Sequence, residues 1–301
     1  MKSPSQKIHA GYVAVMGRPN VGKSTLINAL IGQKIAAVSP RPQTTRQTQL
    51  GILTTETTQI IFIDTPGLHQ PHHKLGEYMN QTAAKVLEDA DLVLFIVDGT
   101  HISPHPEDLI LIRLLDDLKN PPLVILAINK IDLIPEADLQ ERQQAYLDKI
   151  PRAIPVQISA VQGDHLDDLR HILGKHLPKG DFLYPPEQIT DLYEREIAAD
   201  LIRAAGLIHL RDEVPHAIAI RIDEYTERGD SGVYIRATLF VERDSQKGIV
   251  IGQGGRMLKQ IGTTARREIE LMSGRKAFLK LRVKVRKNWR NDDKALSRFG
   301  F

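Results

Sequence analysis

The sequence contains no cysteine, a single tryptophan and an aromatic fraction of only 5%. Without cysteine there is no disulfide scaffold, no thiolate zinc or iron–sulfur site and no cysteine nucleophile. Long apolar runs are missing too. The longest, LVLFIV (92–97) and VILAI (124–128), are far short of the ~20 residues that cross a bilayer. The first residues, MKSPSQKIHAGY, have no apolar signal core, which predicts a cytosolic protein. Disorder is excluded for the chain as a whole, because 42% of residues are apolar and 26% charged, as in ordinary globular domains.

What is present is unevenly distributed. The chain has 301 residues and a net charge of +3, and this length predicts about two domains. Residues 1–180 carry −1, residues 181–246 carry −7 and residues 247–301 carry +11. A strongly basic end points to an anionic partner there.

The first 180 residues alternate buried-strand and helix patterns. Strands are expected at 12–16, 48–53, 59–64, 92–98, 123–129 and 156–159, and helices at 23–31, 75–88, 106–118, 138–150 and 164–176. Continuous apolar strands with intervening helices predict an α/β domain with a mostly parallel sheet. The second and third strands, separated by TTET, read as an antiparallel hairpin at its edge. LPKGDFLYPP (177–186) reads as the linker, so the boundary is placed at 180/181. Beyond it the order is helix (189–207), two alternating strands, a short apolar helical piece (248–251), a further helix (256–272) and a last strand (277–285). That is a small α+β domain.

Gly17, Arg18, Pro19, Asn20, Val21, Gly22, Lys23 and Ser24 spell GRPNVGKS, a G-x-x-x-x-G-K-S phosphate loop between a strand and a helix, with Thr25 next. Its backbone N–H groups and helix N-terminus suit phosphate. Lys23 supplies charge to the β- and γ-phosphates, and Ser24 offers a hydroxyl to Mg²⁺. Asp64, Thr65, Pro66 and Gly67 (DTPG) follow a strand; Asp64 suits Mg²⁺, and the Gly67 N–H suits a γ-phosphate. Asn129, Lys130 and Asp132 lie in NKID. A carboxylate at Asp132 accepts from the ring N–H and the exocyclic amine of guanine, donors that adenine lacks on that edge. Losing both costs roughly 3–5 kcal/mol, on the order of 10²–10⁴ in affinity. Ser159 and Ala160, in ISA, end the last strand where a backbone N–H can meet the guanine oxygen. HQPHHK (69–74) has three histidines but no companion carboxylate at ligand spacing, and reads as a solvated loop.

Near the C-terminus Gly252, Gln253, Gly254 and Gly255 form a G-x-x-G cluster ahead of a helix with Arg256, Lys259, Arg266 and Arg267 on one side. The final strand alternates Leu279, Leu281, Val283 and Val285 with Lys280, Arg282, Lys284 and Arg286. Charge alone also describes a solvated helix face or a protected sheet edge. Charge, G-x-x-G and element order together resemble a type II KH module, with a core at about 205–288, whose loop clamps about four nucleotides of a single strand. The RNA-contacting candidates are Gly252, Gln253, Gly254, Gly255, Arg256, Lys259, Arg266, Lys280 and Arg282. Trp289 and Phe299 read as tail packing rather than base stacking.

The four N-terminal motifs in this order resemble the GTPases related to translation factors. That resemblance implies a first switch in PQTTR (42–46), where Thr44 or Thr45 binds Mg²⁺; Thr45 and Gly67 then position water and phosphate without a side-chain base. Leu68 occupies the place of the water-orienting Gln, which implies slow intrinsic hydrolysis. Asn20 implies a monovalent cation, K⁺, beside the phosphates. GTPase plus KH module resembles the bacterial Era GTPase family over nearly the whole chain. The resemblance implies GTP/GDP binding coupled to single-stranded RNA near the 3′ end of 16S ribosomal RNA, assembly of the small ribosomal subunit, a monomer, and peripheral contact with the inner membrane. Two alternatives stand beside it: an RNA-binding scaffold whose nucleotide site barely hydrolyses, and a GTPase acting on a protein or membrane partner through a degenerate KH fold.

Overall fold

The computed structural model describes residues 8–37, 48–65, 73–227 and 232–299. These group into two compact units. One holds residues 8–33, 48–65 and 79–191; the other holds 34–37, 73–78 and 192–299.

The first unit is a six-stranded sheet in the order β2-β3-β1-β4-β5-β6. Its strands are β1 (His9–Met16), β2 (Gln49–Thr54), β3 (Thr58–Asp64), β4 (Leu92–Asp98), β5 (Leu123–Asn129) and β6 (Ile154–Gln157). All neighbours are parallel except β2, which runs antiparallel to β3 at the edge. Every residue of β4 is buried, as expected for a central strand covered on both faces. The helices are α1 (Lys23–Ile31), α2 (Lys74–Asp89, whose first turn lies in the other unit), α3 (Pro106–Asp116), α4 (Leu139–Leu147) and α5 (Leu166–His176). Val93, Phe95, Val97, Leu111, Leu115 and Leu126 belong to one apolar cluster between sheet and helices, each worth about 1.5–3 kcal/mol of burial.

The second unit contains α6 (Glu194–His209), β7 (Ala219–Glu227), β8 (Val233–Val241), α7 (Asp244–Ile251), α8 (Arg256–Ser273), β9 (Ala277–Val285) and α9 (Asp293–Arg298). Its sheet has the order β7-β8-β9, with β7 antiparallel and β9 parallel to β8. The alternate residues Ile235, Ala237, Leu239 and Val241 of β8 are fully buried in one cluster with Ile197, Leu201, Ile261, Ala265 and Ile269. Trp289 is buried, donates from Nε1 to the Ala217 carbonyl at 2.8 Å, and stacks edge-on against Phe299 at 5.3 Å.

Two differences from the sequence expectation trace to the pairing of edge strands. The helix expected at 189–207 starts at Glu194. Edge strand β2 needs acceptors, and residues 189–191 supply them: Ile52 N–H donates to the Ile189 carbonyl at 2.8 Å and Leu50 N–H to Asp191 Oδ1 at 3.0 Å. Tyr193 precedes α6, is 76% exposed, and its N–H donates to the Glu196 carboxylate. The last strand of the first sheet runs two residues earlier than 156–159, taking in Pro155. Proline is tolerated because β6 is an edge strand. Among the described residues no helix is long and apolar enough to cross a membrane.

Candidate functional site

Four motif segments of the first unit converge at the C-terminal ends of its parallel strands. The sheet register sets Asp98 at the end of β4 directly beside Asn129 at the end of β5. The phosphate loop leaves β1 and enters α1 through Gly22, whose φ is +104°. A Cβ there would lie 2.3 Å from Asn129 Nδ2. Asn129 is buried and has little freedom to move aside. Its Nδ2 donates to the Val21 carbonyl at 2.7 Å, and its Oδ1 accepts from Ala160 N–H at 2.9 Å. Asn129 thus joins the phosphate loop to the ISA loop, and one backbone donor of ISA, Ala160 N–H, is engaged by Asn129.

Lys23 opens α1 and is buried. Its ammonium donates to the carbonyls of Gly17 at 2.8 Å and Arg18 at 3.1 Å. Burial pulls its pKa below the ordinary lysine value, opposed by the charges of Asp64 and Asp108. Ser24 Oγ lies 3.2 Å from Asp64 Oδ2, and Asp64 is 1% exposed. A hydroxyl and a carboxylate side by side are hard oxygen donors suited to Mg²⁺, which keeps several waters. Thr65 donates to the Val15 carbonyl at 2.8 Å. Asn20 is exposed at a φ of +65°; Pro19 and Thr25 complete the loop and first turn.

Asp132 sits in a short turn after β5 (Ile131–Leu133). Ser159 Oγ donates to its Oδ1 at 2.6 Å, and Ser159 is itself fully buried. The Asp132 carboxylate is therefore oriented by the ISA loop. Thr44, Thr45, Pro66, Gly67 and Leu68 lie outside the described residues, as do histidines 69 and 72 of HQPHHK. Among the described residues no group of three or more potential metal ligands occurs.

Reading the motifs alone missed the polar network beneath this site. Asp98 Oδ2 accepts from Lys130 Nζ at 2.7 Å and lies 3.5 Å from the Arg18 guanidinium. Arg18 Nε also lies 3.6 Å from fully buried Asp108, which accepts from Tyr146 Oη at 2.8 Å. Burial by itself raises Asp98, but hydrogen bonds from Lys130 and Thr100 outweigh it, so its pKa is low. Burial dominates at Asp108 and holds its pKa high; it does the same to the Tyr146 phenol, reinforced by Asp108. The strand ending LFIVD, in register with NKID, was the available signal.

In the second unit a groove of about 730 Å³ opens between α8 and β9. Of the RNA candidates, Gly255, Lys259, Arg266 and Lys280 line it, together with Leu258, Phe278 and Leu281. Gly252, Gln253, Gly254 and Arg256 form the turn at its end, where α8 begins. Arg282 is not brought there. On the outer sheet face its Nε donates to Thr238 Oγ1 at 2.6 Å, and its guanidinium pairs with Asp223 at 3.2 Å.

Family models match both halves: a "50S ribosome-binding GTPase" model over residues 12–130 and a KH domain model over residues 213–290. GTPase Era of Heliobacterium modesticaldum is 42% identical over 98% of both chains. The chain belongs to the Era GTPase family. The crystal structure of Era with MgGDPNP and nucleotides 1506–1542 of 16S ribosomal RNA is similar at a TM-score of 0.90 and 40% identity, covering 97% of this chain and 99% of that one. A tyrosine-to-alanine variant of Aquifex aeolicus Era bound to GDP·AlF4⁻ matches to the same extent. The first unit of this Era-family chain is its GTPase domain, and the second carries its KH domain.

The close approach at Gly22 gives a direct test. Gly22→Ala forces Asn129 off the Val21 carbonyl. Fluorescence titration should show guanine-nucleotide affinity falling at least about tenfold, the equivalent of about 1.4 kcal/mol.

Proposed function

We propose that this chain binds and hydrolyses GTP and uses the nucleotide state to set how tightly its KH groove holds single-stranded RNA from the 3′ end of 16S ribosomal RNA during small-subunit assembly. One observation carries the nucleotide half: Ser159 orients the Asp132 carboxylate at 2.6 Å, at the strand ends that also present Lys23 and Ser24. A carboxylate fixed in that way reads two donors on one base edge, which is a guanine-selective arrangement. The RNA half is supported by the basic, partly apolar groove beside the G-x-x-G turn and by the Era relative bound to 16S nucleotides 1506–1542.

Ser24 and Asp64 hold Mg²⁺ in this reading, joined by Thr45 of the first switch. The ion neutralises charge on the β- and γ-phosphate oxygens. Lys23 contributes a fixed positive charge from a desolvated position, where it acts more strongly than in water. Thr45 and Gly67 place the attacking water and the γ-phosphate. Because Leu68 neither orients nor deprotonates water, intrinsic turnover is slow, on the order of 10⁻⁴–10⁻³ s⁻¹ as for unassisted Ras. Asn20 holds K⁺ beside the phosphates, adding positive charge where an arginine finger acts in other GTPases. Lys259, Arg266 and Lys280 contact RNA phosphates, and the apolar floor takes bases.

Coupling is supported by the course of the chain. Residues 34–37 and 73–78, which flank the proposed switches, group with the KH-containing unit. Ala37 joins its apolar cluster, and Lys74 pairs with Asp293 at 2.8 Å. Linkage then requires RNA to favour the GTP state as much as GTP favours RNA. The chain acts as a monomer, and any membrane association is by surface contact.

Three measurements test these parts. Asp132→Asn reverses one hydrogen-bond polarity, so competition binding should show preference moving from GTP toward xanthosine triphosphate. Retained GTP preference sinks the base-reading claim. Exchanging Na⁺ for K⁺ should raise multiple-turnover phosphate release several-fold; an unchanged rate removes the cation from Asn20, and no release in either salt favours the scaffold alternative. Gly254 has φ +59° and open space around its Cβ position, and Asp tolerates that conformation. Gly254→Asp therefore adds charge without a clash: in filter binding with a GTP analogue, RNA affinity should fall at least about tenfold while nucleotide affinity is unchanged.

A further inference from the structure

We propose that Asp98, which belongs to none of the four nucleotide motifs, is a positioning residue that holds the base-reading and phosphate-binding loops at one spacing. The proposal rests on the GTP-binding reading above.

Both carboxylate oxygens of Asp98 are committed. Oδ1 accepts from Thr100 twice, from its N–H at 3.1 Å and its Oγ1 at 2.7 Å. Oδ2 accepts from Lys130 Nζ at 2.7 Å and lies 3.5 Å from Arg18 Nη2. Lys130 belongs to NKID and Arg18 to GRPNVGKS, so one carboxylate joins the two loops through their side chains. The backbone behind it is equally fixed. Gly99 N–H donates to the Asn129 carbonyl at 3.0 Å, and the Gly99 carbonyl accepts from Arg142 at 2.9 Å. A Cβ at Gly99 would lie 2.7–2.8 Å from Ile134 and Ile128. The turn after β4 therefore cannot relax far if a ligand is lost.

The chemistry requires a carboxylate. Arg18 is 13% and Asp98 8% exposed in their side chains, so replacing the anion by a neutral amide leaves two cations close together in a poorly solvated place. Lys130 then turns outward, and the loop carrying Asp132 loses its tether to the phosphate loop. Asn129 provides a second, independent tether between the same loops. The effect therefore falls on affinity and not on the existence of the site.

The test uses the full-length protein and a fluorescent GDP. Asp98→Asn should weaken GDP and GTP about equally, by roughly 10- to 100-fold, the range for a lost charged hydrogen bond, with kcat at saturating GTP within about twofold of wild type. With a GTP analogue at saturation, RNA affinity of the full-length variant should match that of wild type. Because Asp98 acts through Lys130, Asp98→Asn/Lys130→Met should bind no more weakly than Lys130→Met alone. If Asp98→Asn does not fold, the surface variant Thr100→Val, which removes one bond to Oδ1, should still cost several-fold in GDP affinity. Unchanged GDP affinity in whichever variant folds, or losses that multiply in the double variant, overturns the proposal. A wild-type protein that fails to bind GDP overturns the GTP reading instead, so the two failures are distinguishable.

Discussion

The nucleotide site depends on one buried amide. Asn129 gives its Nδ2 to the Val21 carbonyl and takes Ala160 N–H on its Oδ1, so the phosphate loop, the NKID loop and the ISA loop share a single fixed point. A side chain buried this deeply costs about 1–3 kcal/mol for each polar group left unpaired. The three loops therefore hold their spacing together or lose it together. The parallel register that sets Asp98 beside Asn129 extends the same constraint to β4, and Ser159 extends it to Asp132. In the proposed function, selectivity for a base and grip on phosphates are then consequences of one scaffold, not separate devices.

The two units use charge in opposite ways. Beneath the nucleotide loops, Arg18, Asp98, Asp108 and Lys130 sit mostly out of water. Pairs in such places are costly to break, because removing one partner strands the other. They serve geometry. Along the KH groove Lys259, Arg266 and Lys280 face solvent at the rim of an apolar trough. In the proposed function they meet a polyanion, through contacts that salt weakens. Arg282 shows how neighbouring charges on one strand part company: Asp223 and Thr238 engage it on the outer sheet face, away from the groove lining.

Much of this was legible in the chain itself. The six strands and five helices of the first unit follow from apolar runs and punctuation by glycine and proline, and GRPNVGKS, DTPG and NKID mark strand ends by their chemistry. The alternation of β8 and β9 foretold their inward faces. The helix expected from residue 189 begins only at Glu194 because edge strand β2 captures residues 189–191 through backbone N–H groups that no periodicity records. Asp98, Asp108 and Tyr146 stayed hidden for a related reason: a lone acid at a strand end or on a helix reads as surface.

The sequence by itself determined which residue types stand at which strand ends, and hence a guanine-nucleotide domain followed by a basic KH module. Local chemistry suffices for that, because phosphate loops, capping and strand alternation are short-range. Only the tertiary structure decided which cations remain available to a ligand and which are engaged within the fold. Lys280 reaches the groove while Arg282 does not, and Arg18 reaches Asp98 and Asp108 across tens of residues. Those partners are chosen by sheet register and packing, which juxtapose side chains with no sequence proximity to betray them.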